Sequence, residues 1–191
     1  MPKLALVLLL FTQCMAMPLL QSTFRESKEV GEWIQKLHYG KEKVTRLHFY
    51  VHDTLSGKNI SAVEVARASI TDTSPTLFGA VLFIFDDQLT EGPEGTSRLE
   101  GRAQGLYGSA GQQELGLLVA VNFVFTTGKF NASSLTILGR NAALNPPAEM
   151  PIVGGTGVFR LARGFVTAKR HFLNVTSGNG VLEYNVFAIH Y

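Results

Sequence analysis

Asp53 is a candidate for acid–base chemistry, because its carboxyl group continues an apolar face of a predicted strand. In the segment VTRLHFYVHD, alternate residues give Leu47, Phe49, Val51 and then Asp53, while the other face is polar. Burial disfavours the charged form of a carboxyl group, so we expect a raised pKa that suits proton transfer. The alternative is that Asp53 ends the strand by hydrogen-bonding the next turn.

A second strand, SRLEGRAQGLYG, predicts open space beside a polar side chain. One of its faces carries Gly101, Ala103, Gly105 and Tyr107. Small residues in a barrel wall leave volume that can hold a flat organic molecule. Tyr107 would then bring a hydroxyl group to the rim of that space. The alternative is a half-buried aromatic ring whose hydroxyl group lies at the surface.

The spacing of the other reactive residues predicts neither a metal site nor a cofactor. The glycine-rich segment 152–164, IVGGTGVFRLARG, has neither dinucleotide nor Walker spacing, and a strand rather than a helix follows it. His48 and His52 lie about 13 Å apart along an extended strand, too far to share one ion. No serine occurs in a Gly-x-Ser-x-Gly motif.

Length and composition bound the class of protein. A chain of 191 residues with 46% hydrophobic content can bury one sizeable core, which favours a single domain. Its formal net charge is only +2. Such a chain offers no large basic field, so we predict no binding of nucleic acid.

The N-terminal residues indicate a secreted protein. Residues 1–16 combine a basic start, an apolar run too short to span a bilayer and a small residue at position 16, which is typical of a cleaved signal peptide. Cys14, the only cysteine, lies inside this segment, so the mature chain would have no disulfide. No membrane association is predicted after cleavage. Three acceptor sequons follow and predict glycosylation at Asn59, Asn131 and Asn174.

Strand periodicity dominates the chain after a polar N-terminal arm at residues 17–43. We predict strands at 44–53, 60–70, 77–86, 97–107, 116–127, 134–139, 157–171 and 181–190. Their spacing predicts an all-β domain over residues 44–191, an eight-stranded antiparallel up-and-down β-barrel, with a sandwich as the alternative. The segments 77–85 and 117–125 are apolar on both faces, which predicts a homo-oligomer.

Five co-linear motifs resemble those of plant dirigent proteins. They are HFYVHD (48–53), LFIFDDQLTEGP (82–93), GRAQGLYG (101–108), ILGRN (137–141) and EMPIVGGTGVFRLARGF (149–165). The resemblance runs from about Leu47 to the C-terminus. It implies a trimeric eight-stranded barrel, secreted to the apoplast, with a pocket inside each barrel and glycines in turns and barrel walls.

The resemblance also implies a chemistry. A separate laccase or peroxidase makes phenoxy radicals from a monolignol such as coniferyl alcohol, and the dirigent protein fixes the faces that couple. In lignan-forming members, two acids and an arginine assist cyclisation by proton transfer. Asp53 matches the first acid, whereas Asn141 and Ala148 align with the second acid and the arginine. Asparagine does not exchange a proton at neutral pH, so the chain is more similar to the broader branch, some of whose members are cyclising dehydratases of isoflavonoids.

The resemblance and the strand patterns together predict a site. Asp53 is the candidate catalytic residue, and Phe49, Tyr107, Asn141 and Arg163 are the candidate substrate-binding residues. For Arg163, an interface ion pair is the alternative.

Three functions are compatible with this sequence. The first is a guide for radical coupling that gives optically active lignans, and the second is a cyclase or dehydratase. The third is a defence-associated binding protein of the cell wall.

Overall fold

The computed structural model describes residues 28–37, 40–79 and 82–191. The chain separates into two compact units, Met1–Gly40 and Lys41–Tyr191. The predicted signal peptide over residues 1–16 lies outside the described residues. Within the described residues, no helix is both long enough and apolar enough to cross a membrane.

The described residues of the first unit include helix α1 (Lys28–Leu37). Glu29 lies in its first turn and Lys36 in its last turn, and both charges interact favourably with the helix dipole. Lys28 and Glu32 form an ion pair one turn apart, with 3.9 Å between Nζ and Oε1. The sequence pattern predicts only a polar arm at residues 17–43, so this helix was not predicted.

In the second unit, the described residues form nine strands in one antiparallel sheet. Their side chains alternate between the interior and the outside, which is the pattern that the sequence predicts. The strands are β1 (Lys43–Asp53), β2 (Ala62–Ala66), β3 (Leu82–Thr90), β4 (Leu99–Ser109), β5 (Gly116–Phe125), β6 (Ser133–Ala142), β7 (Ala148–Thr156), β8 (Arg163–Leu173) and β9 (Gly180–His190).

Eight of these strands close into the predicted up-and-down barrel. β1 pairs with β9 along its whole length, from Lys43 opposite His190 to Asp53 opposite Gly180. Residues 50–52 of β1 also pair with residues 88–90 of β3, which closes the ring. β2 pairs with the first half of β3 along the same edge. The sandwich alternative is therefore wrong.

Apolar side chains from neighbouring strands fill one end of the barrel. Phe49 is 2% exposed, and its ring meets the ring of Phe123 edge to face with centroids 4.9 Å apart. Phe159 closes the same region, with its ring centroid 5.7 Å from that of Phe125. An inner cavity lies toward the other end, where β1 terminates at Asp53.

Three predicted strand boundaries are wrong, and the reasons are local. The predicted strand 60–70 contains only the short β2, because the chain turns into a 3-10 helix at Ser69–Thr73. The predicted strand 77–86 starts instead at Leu82 and continues to Thr90. The predicted strand 157–171 starts at Arg163, after a 3-10 turn at Gly157–Phe159.

Strand β7 was missed because Pro151 and two glycines interrupt its pattern. Pro151 cannot donate a ladder hydrogen bond. It lies opposite Phe165 of β8, and pairing with β6 begins only at Ile152. Gly154 and Gly155 are barrel-wall residues of β7, and Gly157 opens the following turn. These glycines occupy the wall and turn positions that the resemblance implied.

Gly164→Ala is expected to destabilise the barrel by about 3 kcal/mol. Gly164 has a φ of +140°, and an added Cβ would lie 1.9 Å from the backbone oxygen of Phe187. Urea unfolding of both proteins at equal concentration measures the loss. Gly154→Ala is the matched control, because a Cβ there meets nothing within 4 Å. Equal stability of the two variants would contradict this prediction.

The three predicted glycosylation sites are accessible. Asn59, Asn131 and Asn174 are all exposed, and each lies outside a strand. Attachment of a glycan at these positions stays a prediction.

Candidate functional site

An inner cavity of about 150 Å³ lies inside the barrel. Strands β1, β3, β4, β5, β6 and β9 supply its walls, which are mostly apolar and aromatic. Side chains alternate along each strand, so every second residue points toward the inside of the barrel. The polar members of the lining include Asp53, Asp87, Tyr107 and Asn141.

Asp53 lies where β1 ends and faces this cavity, as predicted. The hydroxyl group of Tyr107 donates a hydrogen bond to its Oδ2 at 3.1 Å. The other oxygen, Oδ1, is buried and has no hydrogen-bond partner among the described residues. Burial raises the pKa of Asp53 to about 6, although the hydrogen bond from Tyr107 acts in the opposite direction.

Asp87 is a second buried carboxyl group in the cavity, and it is not among the predicted site residues. It is 2% exposed, and the Ser61 hydroxyl donates to its Oδ1 at 2.5 Å. Burial raises its pKa to about 7, against the effect of the Ser61 hydrogen bond, and the charge of Asp53 raises it further. The last β1–β3 pair is His52 with Gln88, so one more step of the register places Asp53 opposite Asp87.

The alternation of β3 was the signal that could have revealed Asp87. Phe85, Asp87 and Leu89 are all buried, whereas Asp86 points outward and pairs with Arg102 at 2.8 Å. The predicted strand ended at residue 86, so neighbouring Asp87 was not assigned a face.

Tyr107 is held in place by stacking as well as by its hydrogen bond. Its ring stacks on that of Phe83, with centroids 5.0 Å apart and an interplanar angle of 28°. Burial and the charge of Asp53 raise the pKa of Tyr107, so its hydroxyl group stays protonated and remains a donor at neutral pH.

The glycines of β4 have a different role from the predicted one. A Cβ on Gly105 would lie 2.1 Å from the backbone oxygen of Ala120 in β5. The missing side chain therefore permits close approach of two strands rather than adding cavity volume. Ala103 and Tyr107 are the β4 residues that line the cavity.

A mouth cavity of about 270 Å³ adjoins the inner one and shares Asp53, Leu117, Asn141 and Leu182 with it. Asn141 is 9% exposed and lines both spaces, while Ala148 lines only the mouth. Together the two cavities reach the roughly 300–1,000 Å³ of small-molecule sites.

Two predicted substrate-binding residues lie elsewhere. Arg163 is exposed on the outside of the barrel, where its Nη2 forms an ion pair with Oε1 of Glu42 at 2.6 Å. The prediction that Arg163 lines the pocket is therefore wrong, because its position on β8 points outward. Phe49 does not line the cavity either. It packs beneath Phe123 and Tyr184, whose rings do.

The two carboxyl groups provide an acid and a base in one apolar space. Burial raises the pKa of both groups, and the charge of Asp53 raises that of Asp87 further, so Asp87 keeps its proton to a higher pH than Asp53 does. Within residues 28–37, 40–79 and 82–191, no cluster of three or more His, Cys, Asp or Glu side chains could hold a metal ion.

Tyr107→Phe is expected to raise the pKa of Asp53 above about 6, because the variant loses the hydrogen bond that favours the carboxylate. Titration of ¹³C-labelled aspartate by NMR measures this pKa directly. Tyr50→Phe is the control, since Tyr50 lies on the outward face of β1. An unchanged Asp53 titration in Tyr107→Phe would contradict the expected role of the hydroxyl group.

A family model, curated relatives and solved structures all match this chain, and they agree with one another. The family model for dirigent-like proteins matches residues 44–189. Dirigent protein 23 of Arabidopsis thaliana is 48% identical over 177 residues, which are 92% of each chain. Pterocarpan synthase 1 of Glycyrrhiza echinata is 45% identical over 81% of this chain and 82% of its own. A solved structure of a pterocarpan synthase dirigent protein superposes with a TM-score of 0.74 at 44% identity, covering 80% of this chain and 87% of that one.

Proposed function

We propose that this chain, which belongs to the dirigent-like protein family, closes an oxygen heterocycle by removing water from a phenolic alcohol. Family membership supports a dirigent-type role in stereoselective or cyclising chemistry. The cyclising form of that role is the one that the cavity favours.

The observation that carries this proposal is the free oxygen of Asp53. Oδ1 is buried, has no partner among the described residues and belongs to a group that faces the cavity. A buried acceptor without a donor is costly, so a ligand hydroxyl group that donates to it gains that interaction. A general base must lie within hydrogen-bond reach of the proton that it removes, and Oδ1 is free to make that contact.

The reaction uses both carboxyl groups and no oxidant. Protonated Asp87 donates to a benzylic hydroxyl group of the substrate, the C–O bond breaks, and water leaves with the bonding electrons. The phenol ring delocalises the positive charge of the resulting carbon, which gives a protonated quinone methide. A second phenolic oxygen then attacks that carbon, a new C–O bond forms, and the phenolic proton passes to Asp53.

The walls of the cavity supply stereoselectivity. Phe85 and Tyr107 lie on one side with ring centroids 5.6 Å apart, while Phe123 and Tyr184 meet edge to face at 5.1 Å. Flat aromatic surfaces hold a phenolic ring in one orientation, so the attacking oxygen reaches a single face of the planar carbon. The named pterocarpan synthases among the relatives support an isoflavonoid-derived alcohol as the substrate class.

Guidance of radical coupling is the second candidate. The aromatic lining would also hold two phenoxy radicals, made from a monolignol by a separate laccase or peroxidase. Asn141 and Ala148 weaken this candidate, because neither supplies the second acid or the cation of lignan-forming members. A binding role in the cell wall or in defence is the third outcome of the test below.

The test separates these functions by their need for an oxidant. The mature protein is incubated with a racemic isoflavonoid benzylic alcohol alone, and separately with coniferyl alcohol and a one-electron oxidant. Products are resolved by chiral chromatography and mass spectrometry. Oxidant-free loss of water with enantiomeric selectivity supports the cyclase. Selectivity only in the oxidant arm supports radical coupling and overturns the cyclase, and no selectivity in either arm leaves the binding role.

We also propose a homo-oligomer, a trimer or a dimer. Four outward residues on adjacent strands pair in register, Ile84 with Leu106, Leu106 with Ala120, and Ala120 with Leu138. Ile84 is 44% exposed and Leu138 is 47% exposed, so this apolar row supports burial against another copy. Light scattering of the protein and of Leu138→Lys tests the proposal. A monomeric parent protein would overturn it.

Secretion to the apoplast with glycosylation is a further proposal. The exposure of Asn59, Asn131 and Asn174 supports it, because attachment of a glycan needs an accessible asparagine. Glycosidase treatment of protein from the plant wall fluid, followed by mass spectrometry, tests it.

A further inference from the structure

Ser61 lies between the inner cavity and a separate space outside the barrel. Its hydroxyl group donates to Oδ1 of Asp87 at 2.5 Å, and Asp87 lines the inner cavity. Ser61 itself lines an outer groove of about 710 Å³. The residues that define this outer groove include His52, Thr54, Ser61, Gln88 and Arg102. The side chain therefore bridges the barrel wall just before β2 begins.

The Ser61 hydroxyl group has two acceptor positions. The first is Oδ1 of Asp87, and the second is the backbone oxygen of His52 at 3.4 Å. Its own oxygen accepts from the backbone N–H of Thr54 at 3.1 Å, which holds the side chain in place. When Asp87 is protonated, its O–H can donate to Ser61, whose hydrogen then turns toward His52. A hydroxyl group with two such states can pass a proton along.

We propose that Ser61 relays protons between Asp87 and the solvent of the outer groove. By this route Asp87 regains its proton while a ligand still fills the inner cavity. This inference rests on the proposed cyclisation. After one turnover, the proton from Asp87 has left in water, and the phenolic proton is on Asp53. After this turnover Asp87 is therefore deprotonated and Asp53 is protonated. A product that still occupies the cavity excludes water from the inner side, whereas the outer groove remains open.

The charges around Asp87 decide how readily it regains a proton. Asp53 from β1 and Asp86 from β3 both disfavour its ionised form, and Arg102 from β4 favours it. Tyr107 and Tyr184 also face it, and their hydroxyl groups stay protonated because burial and the two carboxylates raise the pKa of each. Burial lowers the pKa of His52, so it is neutral at pH 7.

The test compares Ser61→Ala with Ser61→Thr, which keeps a hydroxyl group. Ser61 also completes the predicted sequon of Asn59, so Ser61→Ala would remove a glycan as well as the hydroxyl group. Both substitutions are therefore made in an Asn59→Gln background, and Asn59→Gln alone is the reference. Melting temperatures of all three proteins exclude a folding defect.

Turnover kinetics with the isoflavonoid alcohol at pH 6 provide the first readout. Asp87 begins protonated there, so the first turnover in a rapid-mixing experiment should be unchanged in Ser61→Ala. The steady-state kcat should fall roughly tenfold, less than the 10²–10⁴-fold expected for loss of the acid itself. Added imidazole, which is largely protonated at pH 6 and can deliver the proton, should restore kcat, and Ser61→Thr should keep it. An unchanged steady-state kcat in Ser61→Ala would mean that Asp53 returns the proton directly, and this outcome overturns the relay.

A second readout does not depend on activity. NMR line shapes of ¹³C-labelled Asp87 report its proton exchange with solvent when the cavity is filled with a non-reactive isoflavonoid. Slower exchange in Ser61→Ala than in Ser61→Thr supports the relay, and equal exchange overturns it. If no substrate turns over but exchange differs, the proposed function fails while Ser61 still conducts protons.

Discussion

Asp53→Asn is expected to lower kcat for the cyclisation by about 10²–10⁴-fold, which is the usual contribution of a positioned acid or base. The asparagine oxygen can still accept the Tyr107 hydrogen bond, so the geometry is kept while the proton acceptor is lost. KM should rise as well, because the amide nitrogen that then faces the cavity cannot accept a hydrogen bond from the substrate hydroxyl group. Initial rates from chiral chromatography across a substrate series measure kcat and KM separately.

Stability provides the control for this result. Asp53 has a raised pKa, so its ionised form destabilises the fold at neutral pH, and Asp53→Asn should melt at an equal or higher temperature. Asp86→Asn is the matched variant, since Asp86 faces outward and pairs with Arg102. It should keep kcat. Full activity of Asp53→Asn would contradict the assignment of Asp53 as the base.

Asp87→Asn is expected to remove a pH dependence of stability on the order of 2–4 kcal/mol between pH 4 and pH 8. The folded-state pKa of Asp87 is about 7, above its usual value of 3.8. The folded state therefore binds this proton more tightly than the unfolded state does. That contribution to stability is fully present below about pH 4 and is lost as pH rises through about 7. Asparagine does not titrate, so the variant gains on the parent protein as pH rises.

Urea unfolding at each pH unit, at fixed protein concentration, measures this difference. Asp86→Asn is again the control, because the pKa shift of Asp86 has the opposite sign to that of Asp87. Arg102 lowers the pKa of Asp86, so the stabilising contribution of that carboxylate is present above its unfolded pKa and is lost only as pH falls through the folded value. Its difference from the parent protein should stay constant from pH 4 to pH 8. A flat difference for Asp87→Asn would mean that Asp87 is not desolvated.

Half of the acid–base pair could be predicted from the sequence. Asp53 and Tyr107 each continue an apolar alternation, and both face the cavity. Asp87 obeys the same alternation, but the predicted strand ended one residue before it. For Arg163 the prediction assumed one continuous strand from residue 157. The turn at Gly157–Phe159 interrupts that strand, so the predicted neighbours Phe159 and Phe165 lie on different faces.

The sequence alone determined the class of fold and the family, because strand alternation and the five motifs are local properties of the chain. It also determined that Asp53 ends an apolar face. Only the tertiary structure decided which carboxyl group is the partner of Asp53. That choice depends on the pairing of β1 with β3, which brings together residues far apart in the sequence, such as Tyr50 and Thr90. The same pairing buries both acids together, and shared burial, rather than either residue alone, raises both pKa values.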